Sequence, residues 1–121
     1  MKRPLYAALD LHSAYSVLGS MDHGGKTQPR MRFATQGEAL QREVARLRQR
    51  KRPVYLTMEA GALSRWASGI VRPLVERLII CEPRHNRLIN SNPQKSDEAD
   101  VEGMCLLLRQ GKLKEDRKSV V

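Results

Sequence analysis

The sequence predicts an α/β protein, a mixed sheet with a three-strand antiparallel meander and helices on both of its sides. Three short apolar segments come first, separated only by turns, and two amphipathic helices then alternate with two further strands. The chain has 121 residues, of which 40% are hydrophobic, enough to form one domain with its own core. Only 4% of the residues are aromatic, so this core is expected to be aliphatic.

The meander is predicted from segments 4–11, 14–20 and 31–34, which are short and rich in apolar residues. His12 and Ser13 alone separate the first two segments, which favours a tight hairpin. The polar segment 22–30 contains glycine and proline and is typical of a loop.

The first helix is expected to begin near Gln36, with Thr35 as its cap and Glu38 at the capping-box distance. Its apolar side chains recur at helical spacing, and Pro53 is expected to end it. A strand over 54–59 follows.

A second amphipathic helix runs from about 63 to Pro73, and a buried parallel strand is predicted over 77–82. Residues 84–95 are predicted to form a short helix and a loop. The last helix begins after Ser96, turns an apolar face toward the sheet and ends at Gly111.

The charge balance favours a polyanionic partner, most simply nucleic acid. Lysine and arginine number 22 against 13 acidic residues, a formal net charge of +9. A solvated helix surface is the alternative interpretation of the basic run in the first helix. The candidate phosphate contacts are Arg42, Arg46, Arg48, Arg50, Lys51 and Arg52, together with Arg84, Arg87 and Lys95 nearer the last helix.

Four acidic residues occupy positions that the topology brings together. Asp10 ends the first strand and Glu59 ends the strand over 54–59, and these two strands are expected to be neighbours. Asp97 and Asp100 lie on one face at the start of the last helix. Four clustered carboxylates call for a hard divalent cation, Mg²⁺ or Mn²⁺. Taken singly, Asp97 also suits a helix amino terminus and Asp10 a turn.

The same residues resemble a known family, the DEDD transposases related to the Piv DNA invertase. The resemblance is carried by three segments: AALDLHSAYSV with Asp10, LTMEAGALSRWA with Glu59, and KSDEADVEGMCLLL with Asp97 and Asp100. It implies a ribonuclease H-like amino-terminal domain similar to the RuvC resolvase, here residues 1–112, with 113–121 as a charged tail or truncated linker.

The resemblance also implies what the domain does. The four acids would coordinate Mg²⁺ and support DNA strand cleavage and joining, as in DNA transposition. Full-length members carry a carboxy-terminal domain with a serine thought to be the nucleophile, so this chain is expected to be a fragment. Some members use a structured guide RNA to choose DNA sites, and members often work as oligomers.

Two other function classes are considered. One is a nucleic-acid-binding module without catalysis, whose acids are vestigial. The other is an actin-like or sugar-kinase-like ATPase fragment. That class needs a glycine-rich hairpin after the first-strand acid to bind a phosphate, but here the first glycine after Asp10 is Gly19. No apolar run is long enough for a membrane span and no secretory signal is recognisable, so a cytoplasmic protein is expected, with Cys81 and Cys105 as buried free thiols.

Overall fold

The computed structural model describes residues 2–82 and 97–116, and of residues 97–100 only the backbone. Within these ranges the chain forms five strands and three longer helices. The elements are β1 (Leu5–Leu11), β2 (Tyr15–Met21), β3 (Met31–Ala34), α1 (Gly37–Leu47), β4 (Val54–Glu59), α2 (Ser64–Val71), β5 (Arg77–Cys81) and α3 (Asp97–Arg109). The helix and loop predicted over 84–95 lie outside the described residues.

The five strands form one mixed sheet in the order β3-β2-β1-β4-β5. The first three are antiparallel neighbours, while β4 runs parallel to β1 and β5 parallel to β4. The predicted meander is therefore confirmed, and β1 lies at the centre of the sheet beside β4. Parallel neighbours end at the same edge of a sheet, so the carboxyl ends of β1, β4 and β5 lie together.

Alternate side chains of each strand face opposite sides and build two cores. On one side, Leu9, Leu56 and Met58 pack beneath α1 and α2 in an aliphatic cluster. On the other side, Ala8 and Val17 pack against the buried stripe of α3. This stripe consists of Val101, Met104, Cys105 and Leu108, as the helical spacing predicts. The sheet is thus covered by two helices on one face and one on the other in the described part of the chain.

The start of α1 differs from the prediction, because Thr35 does not cap the helix. The N-cap residue is Gln36, which makes no capping bond through its side chain. The Thr35 hydroxyl instead donates to the His12 carbonyl over 2.6 Å and lies 2.6 Å from Ser16 Oγ, which is fully buried. The capping-box interpretation was wrong because the buried serine and the His12 carbonyl compete for this hydroxyl.

The end of α1 comes earlier than Pro53. The α-helix ends at Leu47, and a 3₁₀ turn over Arg48–Arg50 follows it. Lys51 then adopts a left-handed backbone conformation with φ 57°, which turns the chain toward β4. The proline excludes helix from the residue before it as well, so the helix has to stop upstream.

The last helix ends at Arg109, and Gly111 caps it as predicted, with a φ of +70° that suits a residue without Cβ. The amides of Gly111 and Lys112 donate to the carbonyls of Leu108 and Leu107, a Schellman motif. None of the helices in the described ranges is long and apolar enough to cross a bilayer.

The first residues of the predicted tail pair with the end of β5. The amide of Glu82 donates to the Lys114 carbonyl over 2.9 Å, and the amide of Asp116 donates to the Ile80 carbonyl over 2.7 Å. Cys81 and Glu115 form an antiparallel bridge between these two bonds. Residues 113–116 therefore lie along the outer edge of β5, and a domain boundary at 112 stays a prediction.

Candidate metal centre and nucleic-acid surfaces

Asp10 and Glu59 lie beside each other near the ends of the two central strands. The parallel register pairs Leu9 of β1 with Met58 of β4, so the next step places Asp10 next to Glu59. Adjacent strands are about 4.8 Å apart. Both positions alternate with residues of the aliphatic cluster under α1 and α2, so both face the side covered by α3. The predicted pairing of these two positions at one end of the sheet is thus present in the backbone.

Both carboxylates are partly buried, and Asp10 is held by a neighbour. The Asp10 side chain is 17% exposed, and its Oδ2 lies 2.9 Å from Nε2 of His12. An ionised carboxylate only accepts hydrogen bonds, so the histidine nitrogen is the donor. The site therefore contains an ordered, partly desolvated carboxylate beside a second one.

Helix α3 crosses this face with its amino end toward Asp10 and Glu59. Val101 packs against Gly19, which pairs with Ala8 in the middle of β1. Two turns further on, Arg109 donates through Nε to the carbonyl of His23, beyond the far end of β2. The helix thus runs back along the sheet, and its first turn, with Asp97 and Asp100, points toward the carboxyl ends of the strands.

The described side chains alone do not complete a metal site. Outside residues 1, 83–100 and 117–121, no three side chains of histidine, cysteine, aspartate or glutamate come together in a metal-binding arrangement. The side chains of Asp97 and Asp100 belong to the part that is not described. The two strand carboxylates are hard oxygen donors, which suit Mg²⁺ or Mn²⁺ better than softer metals.

The basic run of α1 lies away from the carboxylates. Helix α1 covers the opposite face of the sheet, and the run ends beside Pro53, at the start of β4. Glu59 is at the other end of that strand, about 17 Å away at 3.3 Å per residue. The structure therefore does not bring Arg48, Arg50, Lys51 and Arg52 together with the acids. Arg84, Arg87 and Lys95 lie outside the described residues.

Two of the basic residues are engaged by a buried carboxylate. Arg42 Nε lies 3.2 Å and Arg46 Nη1 3.3 Å from the two oxygens of Glu43, whose side chain is only 6% exposed. Arg50 donates to the side-chain carbonyl of Gln28 over 2.7 Å. Arg42 and Arg46 thus neutralise a buried charge as well as facing solvent, while Arg50 keeps its full charge for an external anion.

At the same end, Asp22 forms a local counter-charge. The Lys26 backbone amide donates to its Oδ1 over 2.9 Å and holds the pKa of this carboxyl below its usual value, with Arg52 adding to the effect.

The two cysteines are buried and neither forms a disulfide, as predicted. Burial raises the pKa of the Cys105 thiol to about 12, and the nearby charge of Glu102 acts in the same direction. A thiol that stays neutral at all physiological pH values is a core side chain and not a nucleophile or a metal ligand.

A row of three side chains that begins at Asp10 was not predicted from the sequence. His12 binds Asp10, the Tyr15 ring stacks on His12 with 4.6 Å between centroids, and the Arg32 guanidinium lies 3.8 Å from the centre of the Tyr15 ring. The two-residue spacing of Asp10 and His12, which puts both on one side of an extended chain, is the available signal. Nothing in the sequence pairs Arg32 with Tyr15, because the contact depends on the register of β2 and β3.

The architecture is that of the ribonuclease H-like fold, as the resemblance implies. Among solved structures, the chain matches "T. thermophilus RuvC in complex with Holliday junction substrate" with a TM-score of 0.67. The match covers 93% of this chain and 99% of the other at 15% sequence identity, so it shows a shared fold. No protein-family model matches the chain, and no curated protein matches it in sequence.

Proposed function

We propose that this chain is the catalytic domain of a divalent-metal-dependent DNA recombinase, in which Asp10, Glu59, Asp97 and Asp100 hold Mg²⁺ or Mn²⁺ for strand cleavage. The observation that carries the proposal is the position of Asp10 and Glu59, side by side on the α3 face where the central strands end. Two adjacent carboxylates repel each other, and a divalent cation held between them relieves this repulsion.

The start of α3 supports the remaining two ligands. Its buried stripe continues backward by helical period from Met104 and Val101 to positions 100 and 97. In this proposal the four carboxylates hold the ion and orient the phosphate beside it. When bound, such ions activate the attacking oxygen and stabilise the leaving oxygen of a phosphodiester.

The DNA contacts of the proposal fall into two groups. Arg84, Arg87 and Lys95 come between β5 and α3 in the chain, and we assign them to contacts with the DNA phosphates next to the acids. The basic run from Arg42 to Arg52 sits on the other face and at the other end of the sheet, so it would grip a separate stretch of nucleic acid. The net charge of +9 favours both contacts.

The proposal covers cleavage and metal binding by residues 1–112. In the DEDD transposases a serine of a carboxy-terminal domain is thought to be the nucleophile, and the resemblance does not extend to that domain here. The experiment therefore measures metal binding and DNA cleavage and does not measure transposition.

The test is calorimetric titration of Mn²⁺ into the wild type, Asp10→Asn and Glu59→Gln, with Glu76→Gln as the matched control. Glu76 is exposed and precedes β5 at the end of the sheet opposite to Glu59. We expect Mn²⁺ affinity to fall at least tenfold in the first two variants and to stay unchanged in the control. Cleavage of a synthetic four-way junction and of a duplex of the same sequence, each with Mn²⁺, should be lost in parallel.

The same titration separates the alternative function. If wild type and variants all bind DNA but none binds Mn²⁺, the chain is a non-catalytic nucleic-acid-binding module and the acids are vestigial. Binding of Mn²⁺ that survives both substitutions would place the metal elsewhere and remove the basis for the cleavage mechanism.

A further inference from the structure

A row of three side chains leads from the edge strand β3 to Asp10. The Arg32 guanidinium lies over the Tyr15 ring, 3.8 Å from its centre, at a distance typical of a cation–π contact. The Tyr15 ring stacks on the His12 ring at 4.6 Å with 26° between the planes. His12 in turn donates from Nε2 to Asp10 Oδ2 over 2.9 Å.

The strand register explains why these groups meet. Val17, on the α3 face of β2, is paired with Asp10 on one side and with Arg32 on the other. Tyr15 also belongs to the cluster on this face, two residues from Val17 along β2. The contacts therefore come from three adjacent strands, whose backbone fixes the positions of the side chains.

The contacts of this row restrain the orientation of the His12 ring. The His12 side chain is 37% exposed and lies just after the end of β1. Stacking on Tyr15 restricts the rotation of the imidazole ring, and the Arg32 guanidinium over the Tyr15 ring restricts the tyrosine. A fixed imidazole keeps Oδ2 of Asp10 in one place.

We propose that His12 is a positioning residue for Asp10, clamped by Tyr15 and Arg32, and that it holds the carboxylate in the orientation in which it binds a divalent cation. This inference rests on the proposed function, because it takes Asp10 as a metal ligand. Partners that orient a ligating side chain typically change metal affinity 10- to 100-fold when removed. His12 acts only through Asp10 and is not itself assigned a place at the reacting atoms.

The test measures Mn²⁺ affinity and thermal stability together. His12→Ala should weaken Mn²⁺ binding about 10-fold or more with a small change in Tm, since the side chain lies outside the two buried cores. Tyr15→Phe keeps the stacking ring and should bind Mn²⁺ with wild-type affinity. Tyr15→Ala removes the ring and should bind Mn²⁺ more weakly. His23→Ala is the matched control, since His23 contacts Tyr6 at the far end of the sheet.

A double variant distinguishes clamping from independent effects. If Tyr15 acts through His12, His12→Ala with Tyr15→Ala should bind Mn²⁺ no more weakly than His12→Ala alone. Additive losses would overturn the clamp, and wild-type affinity in His12→Ala would overturn the positioning role while the metal site stands. Failure of the wild type to bind Mn²⁺, with Asp10→Asn indistinguishable from it, refutes the proposed function and this role with it.

The stack itself is tested in the metal-free protein. Proton NMR should show the His12 ring protons shifted upfield by the Tyr15 ring, and this shift should persist in Tyr15→Phe and vanish in Tyr15→Ala. Random-coil shifts for His12 in the wild type would refute the stack whatever the metal affinity is.

Discussion

Gly19 sets the closest approach between the sheet and α3, and replacing it with alanine tests how that helix is seated. A methyl group at Gly19 would overlap with Cγ1 of Val101 and lie 3.5 Å from its Cβ. Val101 is fully buried, and its branched side chain has one strongly preferred rotamer in a helix, so it cannot swing aside. Gly19→Ala therefore has to push α3 away from β2.

The cost follows from the packing. Overfilling a tight core costs about 1–3 kcal/mol, and we expect about 2 kcal/mol for Gly19→Ala. Val101→Ala removes two buried methyl groups at roughly 0.8 kcal/mol each and leaves a cavity, in total about 2–3 kcal/mol. Independent effects would thus sum to about 4–5 kcal/mol.

The double variant should fall far short of that sum. In Gly19→Ala with Val101→Ala, the new methyl group occupies space that the valine has vacated, so we expect a loss of only about 2 kcal/mol. Urea unfolding of the wild type, both single variants and the double variant gives the four free energies of unfolding. Additive losses would show that α3 does not rest on Gly19, and the assignment of its direction from the Val101 contact would fail.

Three further outcomes are expected. Arg48→Ala with Arg50→Ala should reduce the magnitude of the slope of log K for DNA against log[salt] by about 1.8, since each phosphate contact contributes about 0.9, and an unchanged slope would assign this surface to solvent. Thr35→Val should lower the free energy of unfolding by about 1–3 kcal/mol in a urea titration, because the buried Ser16 hydroxyl loses its partner, and no loss would contradict the role of that bond. Cys105 should react with a thiol reagent at pH 8 only on unfolding, since a pKa of about 12 leaves almost no thiolate, and rapid labelling of native Cys81→Ser protein would refute this.

The hydrophobic pattern was sufficient to predict the five strands and their order along the chain. The segment VYLTME is β4 to the residue, and the apolar stripe of α3 is buried as its spacing predicts. The position of β4 beside β1 agrees with the expectation that the helix crossover after the meander brings the next strand beside the central one. The adjacency of Asp10 and Glu59 was predictable for the same reason.

Competition between hydrogen-bonding partners was not predictable from spacing. Thr35 has the right neighbours for a helix cap, but the buried Ser16 hydroxyl and the His12 carbonyl take its bonds. The position of the basic run relative to the acids depends on which face α1 covers and in which direction it runs. These are properties of the packed chain, and a count of charges along the sequence does not contain them.

The short stretch 113–116 has a consequence for how copies of this molecule can associate. Its backbone bonds to Ile80 and Glu82 cover the edge of β5 and prevent that edge from pairing with another molecule. Among the described strands, the uncovered edge strand is therefore β3. β3 is only four residues long and carries Arg32, and a short edge strand with a charge discourages edge-to-edge pairing between molecules. A chain truncated after Gly111 would expose the edge of β5 as a second unpaired edge strand and should be prone to aggregate.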